Sequence, residues 1–270
     1  MSVSTTGSEH ISGEPLTESL GDLPGDLAGD MTAGLPDELL SPGSGSTSTK
    51  VEPGPHHLHL LKILQSTLQS QYDIFVPYCV SDFICVDEAH LRALSGQSKS
   101  TAPEILFYRE DGDDFELSLF LNSTLLKQID DQHFSAQWSG RGLDDCSILL
   151  EGVSHFLYLV WNAHHDRQVS LLDLELQAEV DKFVFAALET DWGKSPAELH
   201  QRLFSNIGYR YELPPELRAR YEKANSIAAS YCHWLLDEFS LKHPNRALTA
   251  ELARFYRLNG AAKQDHVALK

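Results

Sequence analysis

Two strongly apolar helical patterns, joined by a short polar loop, occupy residues Leu149 to Leu188 and constrain the fold more than any other feature. Because a helix advances about 100° per residue, apolar side chains cover about two-thirds of the first helix. The remaining narrow stripe is polar and comprises Glu151, Ser154, His155, Tyr158, Asn162 and His165. Such a helix is expected at the centre of a domain, with its stripe facing either water or a partner inside the protein.

The second helix, predicted from about Ser170 to Leu188, carries polar strips on two opposite sides. One strip, predicted to face solvent, comprises Asp173, Gln177 and Asp181. The other lies between two apolar rows and comprises Glu175, Glu179 and Lys182. A second charged strip is not needed for solubility, which indicates that it contacts another part of the protein.

The loop from Ala163 to Gln168 is short, and short connections favour antiparallel neighbouring helices. Counting equally in both directions from Asp166 places the two polar strips opposite each other. The predicted pairs are Glu151 with Lys182, His155 with Glu179, and Tyr158 with Glu175. The prediction to be tested is that His155 contacts either Glu175 or Glu179. Buried charges need partners of opposite sign, and this alignment supplies them.

The same residues allow three interpretations, of which the simplest is a plain solvent-exposed stripe. In the favoured one they form a buried ion-pair network that fixes the core. In the third, Zn, Fe or Mn binds to Glu151, His155, Glu175 and Glu179, or His155 and Glu179 act as an acid/base pair. The spacing does not match the Glu-x-x-His motif of di-iron bundles or the His-Glu-x-x-His motif of zinc proteases.

The chain is predicted to contain a disordered acidic leader at residues 1–55 and one domain at residues 56–270. Up to Lys50 the leader has eight acidic residues, one lysine and no aromatic residue, so it cannot bury enough apolar surface to offset its ordering entropy. Within the domain, residues 56–135 are predicted to form a helix and a β-hairpin, and residues 143–270 a helical part.

The predicted fold class is α+β and predominantly α-helical, with a small antiparallel hairpin or sheet packed on a helical body. The hairpin strands are Glu104 to Arg109 and Phe115 to Leu121, and a third strand is expected from Ile74 to Val76 or Phe83 to Val86. The other predicted helices are His57 to Tyr72, Asp87 to Leu94, Ser195 to Phe204, Pro215 to Leu241, and Thr249 to Leu258.

The net charge of −18 argues against binding to nucleic acid or to anionic lipid, since both require a basic surface. The basic tail comprises Lys242, Arg246, Arg254, Arg257, Lys263 and Lys270. It is interpreted as an exposed helical face; the alternatives are a surface for nucleic acid or an acidic partner, and a contact with the acidic leader. Neither a secretory signal nor an apolar run of membrane-spanning length is recognisable. The four scattered cysteines suit reduced thiols in the core, and we expect a cytoplasmic location.

A noncatalytic cytoplasmic binding or adaptor protein is the function expected from these features, with protein partners and no cofactor. The Gly-rich phosphate loop, the Gly-x-Ser-x-Gly elbow and the Cys-x-x-Cys pair are all absent from the sequence. The alternative is a metal-dependent or acid/base enzyme that uses the Glu/His constellation of the two central helices.

Overall fold

The computed structural model describes residues 53–87, 103–111, 114–129, 142–189, 195–205 and 214–270. Its helices are α1 (Pro55–Tyr72), α2 (Ser123–Gln128), α3 (Gly142–Ala163), α4 (Leu171–Glu189), α5 (Pro196–Ser205), α6 (Pro215–Glu238), α7 (Arg246–Tyr256) and α8 (Gly260–Ala268). A 3-10 turn (Val80–Phe83) precedes three strands, which are β1 (Ile84–Cys85), β2 (Glu104–Asp111) and β3 (Asp114–Leu121). Residues 1–52 of the expected leader lie outside the described residues. So do residues 88–94 of the helix expected from Asp87 to Leu94.

The small sheet has the strand order β1-β3-β2. Strands β2 and β3 pair antiparallel from Glu104 opposite Leu121 to Asp111 opposite Asp114, which confirms the predicted hairpin. The expected third strand is β1, which runs parallel to β3 with Ile84 opposite Leu119. A third strand and helical packing are needed because a two-stranded hairpin alone is marginally stable in water.

Helices α3 and α4 form the centre of the domain, and the loop between them closes through a left-handed residue. Asp166 has a φ of 52°, a conformation that aspartate tolerates better than most residues. The carbonyl of Asn162 accepts hydrogen bonds from the amides of His165 and Arg167, at 2.9 and 3.0 Å. The two helices therefore reverse direction as the short loop predicted.

The four other predicted helices that fall within the described residues differ from the structure only at their ends. Helix α6 stops at Glu238, three residues before the predicted end, and α7 begins at Arg246 because Asn245 caps it. The Asn245 side chain accepts from the Leu248 amide at 3.0 Å. Helix α8 was not predicted, although Asn259 caps it in the same way through the Ala262 amide at 3.0 Å.

A single large cluster of buried apolar side chains joins α1, the sheet and helices α3 to α7. The predicted class, a mainly helical α+β fold with a small sheet packed on the helices, is confirmed. Of the four cysteines, Cys146 and Cys232 are buried, whereas Cys79 and Cys85 are half-buried. Among the helices of the described ranges, none combines the length and the apolar character that a membrane span requires.

Candidate metal centre

The polar stripe of α3 points into the protein. Ser154, His155, Tyr158 and Asn162 are all buried, and His155 is only 1% exposed. His165, at the end of the same stripe, is exposed in the connecting loop. Of the two alternatives, water or a partner inside the protein, the buried part of the stripe therefore faces a partner inside the protein.

His155 lies between two carboxylates that approach opposite nitrogen atoms of its ring. Nδ1 is 3.8 Å from Oε1 of Glu104, and Nε2 is 3.9 Å from Oε2 of Glu175. Both distances are too long for a hydrogen bond. Within the described residues, neither ring nitrogen has any hydrogen-bond partner. Buried polar atoms are ordinarily hydrogen-bonded, so a ring whose two nitrogens lack a protein partner is a candidate site for binding another species.

Glu104 is the residue of this cluster that the sequence did not reveal. It is the first residue of β2 and is buried, which is unusual for a glutamate. A glutamate at the start of an apolar strand ordinarily faces solvent, so there was little reason in the sequence to expect Glu104 to be buried. The contact with His155 links residues 51 positions apart in the chain, and the sequence carried no indication of it.

The outer part of the cluster is a conventional ion-pair arrangement. The ammonium of Lys182 donates to Oε1 of Glu179 at 2.7 Å and to Oε2 of Glu151 at 3.2 Å. The predicted pair of Glu151 with Lys182 is thus confirmed. All three side chains retain some exposure, between 12% and 25%, so this part marks the edge of the cluster that is closest to solvent.

Two of the predicted pairs are wrong. His155 does not pair with Glu179, because Lys182 lies one turn along the same helix and takes that carboxylate instead. Tyr158 does not donate to Glu175, because its hydroxyl donates to the Leu258 carbonyl at 3.3 Å. His155 instead approaches Glu175, which lies one turn before Glu179 on α4, whereas the pair of Glu151 with Lys182 keeps the register given by equal counting.

Three of the four candidate metal-ligating residues come together, and the fourth does not join them. One ligand atom from each of Glu151, His155 and Glu175 lies within 4.8 Å of the other two. Ligand bonds to Zn are about 2.0–2.2 Å long, so atoms bound to one ion lie about 3–4 Å apart. At 4.8 Å the ligand atoms would have to approach one another by about 1–2 Å, which side-chain rotation can supply. Glu179 is instead held by Lys182.

The electrostatics of the cluster favour extra positive charge. Burial alone would lower the pKa of His155, but the carboxylates of Glu104, Glu175 and Glu151 raise it to about 9. Burial raises the pKa of Glu175 to about 8, although His155 and, more weakly, Arg220 act in the opposite direction. Burial likewise raises the pKa of Glu104. Protons and a metal ion would therefore compete for these side chains.

A second buried network lies on the other side of α4 and corrects the predicted solvent face. Asp173, Gln177 and Asp181 are all buried, because α1 and α8 cover this side of the helix. The Asp181 carboxylate accepts from the hydroxyl of Tyr72, from Ser154 Oγ at 2.5 Å and from Gln177 Nε2 at 2.7 Å.

Lys263 completes this second network, so the interpretation of the basic tail as an exposed face is wrong at this residue. Its side chain is 0% exposed, and its ammonium donates to Gln177 Oε1 at 2.6 Å. The ammonium also lies 4.2 Å from the centre of the Tyr158 ring. The sequence did not predict α8, and Lys263 therefore appeared to belong to an exposed tail.

Comparisons of the chain with models of protein families, with curated proteins and with solved structures find no match. The functional argument therefore rests on the geometry of the site itself.

Proposed function

We propose that this protein binds one divalent metal ion, Zn, Fe or Mn, through Glu151, His155 and Glu175. The observation that carries the proposal is the buried ring of His155, whose two nitrogens have no hydrogen-bond partner within the described residues although carboxylates flank both. Imidazole and carboxylate ligands suit these three metals. An ion at Nε2 would satisfy the nitrogen that faces Glu175.

The charges of the cluster support the same proposal. Four carboxylates meet here, those of Glu104, Glu151, Glu175 and Glu179. The ammonium of Lys182 and the guanidinium of Arg220 supply two positive charges near them. With His155 neutral and the carboxylates ionised, as metal binding requires, negative charge exceeds positive charge in the cluster, which favours a divalent cation.

Three protein ligands leave at least one coordination position for water or a substrate, and this count is typical of catalytic rather than structural zinc sites. Glu151 is the partly exposed ligand, with 25% of its side chain accessible, so the open position would face that edge of the cluster. A metal-bound water there would be a stronger acid than free water, which supports hydrolytic chemistry. The proposed class is accordingly a metal-dependent enzyme.

The test is the metal content of the purified full chain after dialysis. Wild type should retain about one equivalent of Zn, Fe or Mn, and His155→Ala should retain none, because the variant lacks the central ligand. His233→Ala is the matched control, since His233 is exposed and pairs with Asp237 on the surface of α6 at 3.6 Å. The control should keep the wild-type metal content.

A noncatalytic binding or adaptor protein, in which the cluster is only an ion-pair network, is the second candidate. The two bonds of Lys182 to Glu151 and Glu179 support it. This candidate requires metal-free wild type whose melting temperature does not change with chelator or with added Zn. That result would overturn the metal proposal.

Lys182→Met gives an independent prediction. The ammonium of Lys182 contacts the ligand Glu151 at 3.2 Å and therefore competes with the ion for that carboxylate. Its removal should raise Zn affinity by about three- to tenfold, because a nearby positive charge is lost. Competition with a chromogenic chelator measures the change, and an unchanged or weaker affinity would contradict the assignment of Glu151 as a ligand.

A further inference from the structure

We infer that Glu104 is the positioning residue of this centre, whose carboxylate holds Nδ1 of His155 so that Nε2 faces the metal ion. The inference rests on the proposed function and adds a residue from the sheet to a centre built on two helices. It assigns the proton of the bound imidazole to Nδ1, which would donate it to Glu104.

The geometry excludes Glu104 from the coordination shell of the same ion. Its Oε1 lies 3.8 Å from Nδ1, whereas Glu175 Oε2 lies 3.9 Å from Nε2. The lone pairs of the two ring nitrogens point away from each other, so a carboxylate at Nδ1 cannot reach an ion at Nε2. Metal-ligating histidines commonly donate their other N–H to a carboxylate, which fixes the tautomer and raises the basicity of the ligand.

Glu104 is built into its place by the packing of α3 on the sheet. Its Oε1 is buried and has no hydrogen-bond partner within the described residues. Gly152 of α3 lies against it, since a Cβ added there would be 2.9 Å from Cγ and 3.1 Å from Oε1 of Glu104. The glycine thus provides the space in which the carboxylate approaches His155. Pairing of Glu104 with Leu121 of β3 fixes the backbone from which the side chain extends.

The experiment measures Zn affinity of the full chain by competition with a chromogenic chelator. Loss of a carboxylate that orients a ligating histidine lowers metal affinity by about 10–100-fold. Glu104→Leu, which removes both the charge and the acceptor, should show a loss in this range. Glu104→Gln keeps an acceptor oxygen and should lose less affinity than the leucine variant. Glu104→Gln also keeps the test available if the leucine variant does not fold.

Glu251→Gln is the matched control. Glu251 also contacts a histidine, because its Oε1 lies 2.6 Å from Nε2 of His266, but it belongs to α7 rather than to the metal centre. This variant should bind Zn as tightly as wild type. An equal loss in the control would show that affinity follows general stability, and it would overturn the inference.

Two spectroscopic readouts separate positioning from ligation and from a purely structural role. In Zn-loaded, ¹⁵N-histidine-labelled protein, the Nδ1–H resonance of His155 should be slow to exchange and should be absent from His155→Gln. In both Glu104 variants it should exchange faster. The Co(II)-loaded protein should keep its visible absorption intensity in these variants, because the number of ligands is unchanged.

The outcomes distinguish this inference from the proposed function. Wild type that binds none of Zn, Fe, Mn and Co(II) would refute both. Wild type that binds while the Glu104 variants keep full affinity and the same Nδ1–H exchange would refute only the role of Glu104. A changed Co(II) absorption intensity would make Glu104 a direct ligand and would also overturn the inference.

Discussion

Asp181→Leu is expected to lower the free energy of unfolding by about 3–5 kcal/mol. The Asp181 carboxylate accepts three buried hydrogen bonds, from Tyr72, Ser154 and Gln177. Each buried donor left without an acceptor costs about 1–3 kcal/mol, so removal of the shared acceptor is severe. Urea unfolding of the purified variant, followed by circular dichroism, measures the loss. A loss of this size is a large part of the 5–15 kcal/mol typical of a folded protein.

The exposed residue Asp237 provides the matched control. The same substitution at that position should change stability by no more than about 0.5 kcal/mol, because 72% of its side chain is accessible. If Asp181→Leu cost less than 1 kcal/mol, the network would contribute much less to the fold than its geometry indicates.

Lys263 should make the stability of the protein depend on pH above neutrality. Burial lowers its pKa to about 7, although Asp173 and Asp181 act in the opposite direction. The unfolded chain would titrate this lysine near its ordinary pKa, about 10.4. Between these two values the unfolded state binds more protons than the folded state, so this residue adds stability as pH rises. Below about pH 7 the buried lysine is charged, and the cost of burying that charge destabilises the folded state in full.

Comparison of wild type with Lys263→Met isolates this effect, since other groups titrate in both proteins. From pH 7 to pH 9.5, wild type should gain about 2–3 kcal/mol of unfolding free energy relative to the variant. Urea unfolding at several pH values measures the difference. Lys242→Met, which makes the same substitution at an exposed lysine, is the matched control. If the difference in unfolding free energy between wild type and Lys263→Met did not change with pH, the pKa of Lys263 would not be lowered by burial.

The helix pair and the hairpin could be predicted from sequence because both are local patterns. Apolar side chains at helical spacing defined α3 and α4, and two apolar runs around an acidic turn defined β2 and β3. The short loop then gave the antiparallel arrangement and the contact of Glu151 with Lys182. These features depend on residues close to one another in the chain or on one simple reversal.

The errors arise where distant segments cover a helix. Asp173, Gln177 and Asp181 resemble an ordinary charged face, and no local signal shows that Tyr72 from α1 and Lys263 from α8 cover it. Helix α8 itself escaped prediction because its segment begins with glycine and has few apolar residues, although Asn259 was an available capping signal.

The candidate site was predictable in part for the same reason. Glu151, His155 and Glu175 follow from the two helical stripes, and the structure brings them together. Glu104 lies on a strand that precedes them, and only the packing of the sheet on α3 reveals its contact. Glu179 was assigned to the site because the helical repeat places it on the same face, but the choice of partner depended on the ammonium of Lys182.

The hydrogen bond between Ser154 and Asp181 joins α3 to α4 directly beside the candidate metal centre. Ser154 precedes His155 on α3, and Asp181 precedes Lys182 on α4. The bond resists sliding and rotation of one helix against the other, so the backbones that carry the candidate ligands are preorganised and only side chains need to move. An ion binding there would immobilise few additional degrees of freedom, and less of its interaction energy would be offset by lost conformational entropy.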